Sequence, residues 1–439
     1  MFRYYLKLGV LSIRANPALS TLMVAAVAIG IGACMSIVTV RHLMSDNPVA
    51  HKNDLLYHVQ LDNWNPDDPY DDPNEPPEQV TYLDSTALLQ AGRAFRQVIS
   101  FKSDRVVQPE GEGVRPFQQE VRATSADFFT MFGASFEYGS GWDSAADQTE
   151  EPVIVLSATM NEQLFGGENS VGRMLTMEME QYRVVGVLAE WNPIPTFYDL
   201  NNNPFEGAEE IYAPFSVAVA GKWGSSGNNS CWKPPEGGNY EAYLASECIW
   251  IQMWVEFENA DQKQDYLQFL DDYVVEQKAL GRFPRPLNNR LSTPSEWMEN
   301  RGVVDDTVSV LLSLAILFLV VCLLNTVGLL LAKVMRRTSD ISLRRALGAS
   351  KSHLFTQYIV EAGMIGVAGG IAGIGMTWLG LRGIENVFKE YEFVAYLVRM
   401  DWSMISLAVA LAIVSALCAA LYPTWRACSV SPATTLRIQ

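Results

Sequence analysis

Four stretches of the chain, 17–40, 307–332, 362–381 and 402–425, hold 24, 26, 20 and 24 residues without a single charge. A helix rises about 1.5 Å per residue and a bilayer's hydrocarbon core is about 30 Å thick, so each stretch is long enough to cross. They predict four membrane helices. Ahead of the first, Phe2, Tyr5, Leu6, Leu8, Leu11 and Ile13 alternate with Arg3, Lys7 and Arg14. That is the pattern of a helix lying in the membrane interface, turned inward at Asn16-Pro17. Between the first and second spans the pattern changes. LLYHVQL (55–61), VIVLS (153–157), YRVVGVL (182–188) and IWIQMWVEF (249–257) read as strands, and RVVQ (105–108), EGEG and VRPFQQEVRA (114–123) as a hairpin. MNEQLFG (160–166) and residues 260–280 are helical in pattern. This block is α+β with its own core, and its size predicts two lobes.

Charge orients the helices. The chain has 49 acidic and 32 basic residues in 439, a net of −17. Residues 45–306 hold 43 acidic and 17 basic side chains, leaving 6 acidic and 15 basic elsewhere. Arg3, Lys7 and Arg14 precede the first span, and Lys333, Arg336, Arg337, Arg344, Arg345 and Lys351 follow the second. The positive-inside rule then puts both termini in the cytoplasm, the acidic block outside and the loop 382–401 outside. Nucleic acid is excluded as a partner of so acidic a surface. Cys34, Cys322 and Cys418 lie in apolar spans as small packing residues, and Cys428 lies on the cytoplasmic tail. Cys231 and Cys248 lie in the external block, within and beyond the loop-like GKWGSSGNNSCWKPPEGGNY, and read as one disulfide of an oxidising compartment. Ile31-Gly32-Ala33-Cys34 loosely resembles a lipoprotein cleavage box, but the apolar run continues to Val40, so the first helix is expected to be retained.

Few residues suggest chemistry. DNWNPDDPYDDPNEPPEQ (62–79) is acidic and irregular, but a calcium loop counted from Asn63 needs Gly and Glu where Asp68 and Asn74 stand. A solvated acidic loop is expected there. Trp191, Trp223, Trp232 and Trp250 invite a binding cleft, though stapling of a loop insertion is the favoured reading. His42, His51, His58 and His353 form no cluster, and no CxxC occurs. There is no GxxxxGK[ST], G-x-S-x-G or HExxH, and the 21-residue loop 333–353 is far too short for a nucleotide-binding domain. No catalysis, metal or cofactor is therefore expected of this chain. Glu361, at the cytoplasmic edge of the third span, is expected to pair with nearby arginines rather than relay protons.

The most informative segment is RRTSDISLRRALGASKSHLFTQYIVEAGMIGVAGGIAGIG (336–375). Ile341, Leu343 and Leu347 beside Arg344 and Arg345 make a short amphipathic helix ended by Gly348, and Gly366, Gly369, Gly370 and Gly373 offer small residues for close helix approach. The pattern Arg-x3-Asp-Ile-x-Leu-Arg-Arg-Ala-Leu-Gly-Ala, then Gln-x3-Glu-Ala and a glycine-rich helix, resembles the permease segment of the MacB and FtsX superfamily of ABC transporters, the mechanotransmission or type VII class. The tail YPTWRACSVSPATTLR (422–437) is similar to that family's, and RATSADFFTMFG, VIVLSATMNEQLFGGENSVGRML and YRVVGVL resemble its periplasmic core domain. The acidic segment 62–79 and the Cys231–Cys248 insertion depart from it.

The resemblance implies an integral membrane protein of four transmembrane α-helices with a large two-lobed α+β periplasmic domain inserted between helices 1 and 2. Its parts are an elbow helix (1–16), spans at 17–44, 305–332, 355–381 and 402–425, a periplasmic core (45–304), a cytoplasmic coupling loop (333–354), a short periplasmic loop (382–401) and a tail (426–439). It further implies a dimer with the same or a related permease beneath two copies of a separate ATPase, which would hold ATP and Mg. Ile341, Leu343, Arg344, Arg345, Leu347 and Gly348 would form the coupling helix, with Leu347 as an apolar plug and the arginines facing acidic groups or phospholipid heads. Efflux of periplasmic cargo through an adaptor and an outer-membrane channel is the leading expectation. Lipoprotein extraction and FtsX-like signalling in the bacterial inner membrane are the alternatives.

Overall fold

The computed structural model describes residues 2–109, 115–336, 338–387 and 402–429. They form two compact units, Met1–Met44 with Val304–Gln439, and Ser45–Val303. In chain order the elements are α1 (Phe2–Ala15), α2 (Pro17–Met44), β1 (Leu56–Gln60), β2 (Val80–Thr81), α3 (Tyr82–Ala91), β3 (Arg96–Gln108), β4 (Phe117–Thr124), α4 (Phe128–Phe132), β5 (Phe136–Gly139), α5 (Ser144–Gln148), β6 (Val153–Leu156), α6 (Ala158–Phe165), β7 (Met174–Met177) and β8 (Glu180–Leu188). Then come β9 (Ile211–Pro214), α7 (Phe215–Ala220), α8 (Tyr240–Leu244), β10 (Ile249–Glu256), α9 (Gln262–Ala279), β11 (Arg290–Ser292), α10 (Pro294–Asn300), α11 (Asp306–Arg336), α12 (Thr338–Ala346), α13 (Lys351–Val387) and α14 (Trp402–Ser429).

The Ser45–Val303 unit is built on one 11-stranded sheet in the order β11-β1-β10-β3-β4-β9-β6-β8-β5, with β2 beside β10 and β7 beside β3 and β8. The hairpin expected over 105–123 is β3 against β4, antiparallel from Ser100↔Thr124 to Val107↔Phe117. Its EGEG turn falls outside the described residues. Two pairs are parallel, β4 with β9 and β6 with β8. The run VIVL is buried at every position because it lies inside the sheet. The two lobes expected from size share one sheet; one buried cluster on it runs from Tyr57 through Ile154 and Val184 to Leu291, and an aromatic group of Phe128, Phe132, Phe197, Tyr198 and Trp254 packs apart from it. The 13-residue β3 makes this continuity possible, since it reaches β10, β4 and β7.

Helices in this unit start where the sequence supplies caps. Thr81 Oγ1 accepts from Asp84 N–H at 3.0 Å to open α3. Thr293 and Glu296 close a reciprocal capping box at α10, with Pro294 in the first turn.

In the other unit α2, α11, α13 and α14 are long and apolar enough to cross a membrane. The interfacial helix expected over 1–16 is α1, which packs on α13. The helices on either side of the coupling loop extend into it, to Arg336 and from Lys351. Of the short loop expected over 382–401, residues 382–387 belong to α13, and 388–401, like the residues beyond 429, lie outside the described residues.

Candidate functional site

The coupling segment is a helix held at one point and exposed at others. Ile341 is buried against Val334, Leu354 and Cys428, so it anchors α12 to α11, α13 and α14 and does not face outward. Gly348 has φ +99°, a left-handed backbone that a side chain would strain. There Gly348 N–H donates to Arg345 O at 3.1 Å and Ala349 N–H to Arg344 O at 3.0 Å, which ends the helix. Ser350 Oγ accepts from His353 N–H at 3.2 Å and starts the next one. Leu343 and Arg344 are exposed, Arg345 is half-buried, and Leu347 is 80% exposed. Arg344 Nη1 donates to Gln357 Oε1 at 3.4 Å. Beside them a groove of about 330 Å³ is lined by Tyr4, Tyr5 and Leu8 of α1 together with Arg344, Leu347 and His353.

The four glycines of α13 divide between two neighbours. A methyl group at Gly369 would meet Val27 Cγ1 at 2.7 Å and one at Gly373 would meet Ile31 Cγ2 at 3.1 Å, both on α2. At Gly366 and Gly370 it would meet Ala416 Cβ at 2.8 Å and Ala412 Cβ at 3.0 Å, both on α14. These glycines therefore pack α13 within its own chain.

Glu361 departs from expectation. Its partner is Lys333, not an arginine, and both side chains are 3% exposed, with Nζ 2.5 Å from Oε1. Ser12 Oγ of α1 donates to Glu361 Oε1 at 2.7 Å, and Lys333 Nζ donates to Ser20 Oγ of α2 at 3.3 Å. The spacing on α11 carried the signal. Lys333 continues a buried row of Ala315, Leu319, Cys322, Thr326 and Leu330, at intervals of three and four.

In the external unit Cys231 and Cys248 are joined. The insertion they close is also held by a Ser230↔Ile249 bridge and by Tyr243 stacked on Trp250 at 5.4 Å. Three of the four tryptophans pack against separate neighbours. Trp191 stacks on Tyr198, Trp223 packs on Tyr182 beneath Arg105, and Trp250 lies against Phe101. The acidic segment 62–79 is pinned at intervals instead of being simply solvated. Arg285 holds Asp62 at 3.0 Å and Pro73 O at 2.6 Å, Arg290 holds Glu75 at 3.3 Å, and Arg301 pairs with Glu78.

Behind it lies a buried charge cluster that sequence reading did not find. Arg122, 1% exposed, bridges Asp199 at 2.8 Å and Glu209 through Nε at 3.0 Å. Burial opposes the guanidinium charge, but Glu209 and Asp199 outweigh it and raise its pKa. Burial beside Glu209 raises Tyr198 and Tyr212 as well. His58, enclosed by Trp297 at 4.0 Å and Trp254 at 5.1 Å, is pushed by burial down to about 3. Asp147 is pushed by burial up to about 6, although Ala126 N–H and Trp142 Nε1–H donate to it.

The chain thus combines four membrane-length helices with a sheet-based domain inserted between the first and second of them. Comparison with known proteins gives the family. Residues 20–264 match the MacB-like periplasmic core domain and residues 312–432 the FtsX-like permease C-terminal domain. The first match spans more than half of the chain, which belongs to the MacB-like family of ABC transporter permeases. It is similar to the macrolide export ATP-binding/permease protein MacB of Salmonella typhi, 23% identical over 383 residues, 86% of this chain and 52% of that protein. It is also similar to the pyoverdine export ATP-binding/permease protein PvdT of Pseudomonas aeruginosa, 25% identical over 258 residues, 58% of this chain and 34% of that protein. The chain thus spans about half or less of the length of these curated relatives. Among solved structures, the periplasmic region of MacB from Actinobacillus actinomycetemcomitans aligns with 12% identity and a TM-score of 0.37, covering 58% of this chain and 97% of that one.

Proposed function

We propose that the chain is the permease subunit of an export complex and transmits ATP hydrolysis by a separate ATPase to its external domain, which then moves periplasmic cargo outward. The observation that carries this reading is the coupling helix. Ile341 and Gly348 fix it, while Leu347 stands 80% exposed at its end beside exposed Leu343 and Arg344. An exposed leucine flanked by arginines suits an apolar socket with an acidic rim on a partner protein. In this reading two ATPase copies bind ATP and Mg, a second permease completes the dimer, and an adaptor and outer-membrane channel receive the cargo. The termini and coupling helix are cytoplasmic, in keeping with their basic charge. The similarity to MacB and PvdT supports export as the outcome.

Leu347→Asp in the assembled complex tests this. A carboxylate in an apolar socket costs several kcal/mol, so stimulated ATPase activity should be abolished while membrane insertion stays intact. Parent-like ATPase rates with normal export would refute the role.

A further inference from the structure

Lys333 stands in the last turn of α11, where a lysine can ordinarily extend its amine to the membrane interface. It turns inward instead and is 3% exposed, as is Glu361. A buried ion pair is weak evidence for stability, because desolvating two charges offsets their attraction. Its value lies elsewhere, in the arrangement it selects.

The pair ties four helices together. Lys333 and Glu361 join α11 to α13, and Ser12 and Ser20 bring in α1 and α2. The residue after Lys333 is Val334, which packs directly on Ile341, the buried anchor of α12. On α13, Leu354 packs in the same cluster and lies seven residues before Glu361, about two turns along one face. So α13 grips α11 through Glu361 and α12 through Leu354, and any axial slip of α11 would carry α12 with it.

We propose that Lys333 and Glu361 are positioning residues that fix the register of the end of α11 on α13 and thereby set the pose of the coupling helix. The consequence for ATP coupling rests on the function proposed above, whereas the positioning does not. It is read in the permease alone by joining Arg344→Cys to Gln357→Cys, positions whose native side-chain ends are 3.4 Å apart, with a bifunctional thiol reagent that spans the two longer side chains, and with Cys418→Ala to silence the exposed thiol while buried Cys428 keeps its place against Ile341. Lys333→Met should lower the cross-link yield by about threefold or more. The exchanged pair Lys333→Glu with Glu361→Lys should restore it, because the Ser12 and Ser20 hydroxyls can donate or accept toward either arrangement. Glu361→Gln, which keeps volume but removes charge, should lower it as well. Parent-level yield in Lys333→Met or Glu361→Gln, or a folded exchanged pair without rescue, would overturn the proposal. In the assembled complex, lost coupling in Lys333→Met and its rescue by exchange extend the result to function. Should Leu347→Asp leave ATPase activity unchanged, the coupling reading fails while the cross-link result stands by itself.

Discussion

The two units reach close packing by opposite means. In Ser45–Val303 the fully buried side chains are large, among them Trp250, Trp254, Trp297, Tyr182, Tyr198 and Phe101. In the membrane unit helices approach closely at glycines, Gly366, Gly369, Gly370 and Gly373 against alanine, valine and isoleucine and Gly32 against Met376 among them, while Leu314, Leu317 and Leu324 of α11 stand exposed. The surrounding solvent accounts for the difference. Water drives large apolar surfaces inward, so the external domain gains most from aromatic rings. Lipid offers leucine the same environment as a helix interior does, so membrane helices associate through backbone proximity and a few polar contacts. Among the described residues each unit also buries charge, Arg122 with two carboxylates in one and Lys333 with Glu361 in the other.

The largest expected effect strikes the outer centre. Arg122→Ala leaves Asp199 and Glu209 buried without their cation and should destabilise the external unit by about 3–5 kcal/mol. Thermal melting of the purified chain should show that unit unfolding first. If its melting is unchanged, the cluster is not a structural centre. Next, Cys231→Ser frees a loop of 17-residue separation, for which chain entropy gives about 3 kcal/mol. Limited proteolysis should cut within 221–247 earlier than in the parent. Alkylation of both thiols without reductant would remove the basis of this expectation.

Acidity should separate the units further. His58 holds a folded pKa of about 3 below its ordinary 6.5, so its neutral form favours folding above about pH 6.5 and that stability is lost as pH falls toward 3. By pH 4.5 the loss amounts to about 3 kcal/mol. Asp147 has the opposite sign. Its pKa is raised from 3.8 to about 6, so stability declines as pH rises between those values, by up to about 3 kcal/mol. The two trends oppose each other between pH 4 and 6, and single variants should reveal each. His58→Phe should leave a stability that falls with rising pH, and Asp147→Asn one that falls with acid. Identical pH profiles in both variants and the parent would contradict this.

Much of this was legible in the sequence because it is local. Uncharged runs gave the four helices, short apolar runs rich in β-branched and aromatic residues gave β1, β6, β8 and β10, and the spacing of small residues gave the packed faces of α13. What escaped was tertiary pairing. Arg122 meets Glu209 across 87 positions, and Glu361 meets Lys333 because two helices align in register, which nearness in sequence to arginines does not reveal. The row of buried residues on α11 would have placed Lys333 inward, had that helix been read for its face and not only for its hydropathy. Ile341 escaped for a similar reason. An amphipathic helix shows which residues are apolar, but not which of them faces its own protein.

The smallest expected effect is the sharpest test of the comparison, since it changes one methyl group. Gly366→Ala places a carbon 2.8 Å from Ala416 Cβ and about as near the α14 backbone, where only a helix shift can relieve it. Overpacking of this kind costs about 1–3 kcal/mol, and it should lower the melting temperature of the membrane unit while the external unit unfolds as before. Gly375→Ala is the matched control. It lies on the same helix and meets nothing within 4 Å, so only helix propensity acts, and that favours alanine by up to about 1 kcal/mol. If backbone proximity holds the membrane helices together, the two alanines must act with opposite sign. Equal effects would mean that α13 packs against its neighbours loosely enough for side chains to adjust, and that its glycines serve a partner chain.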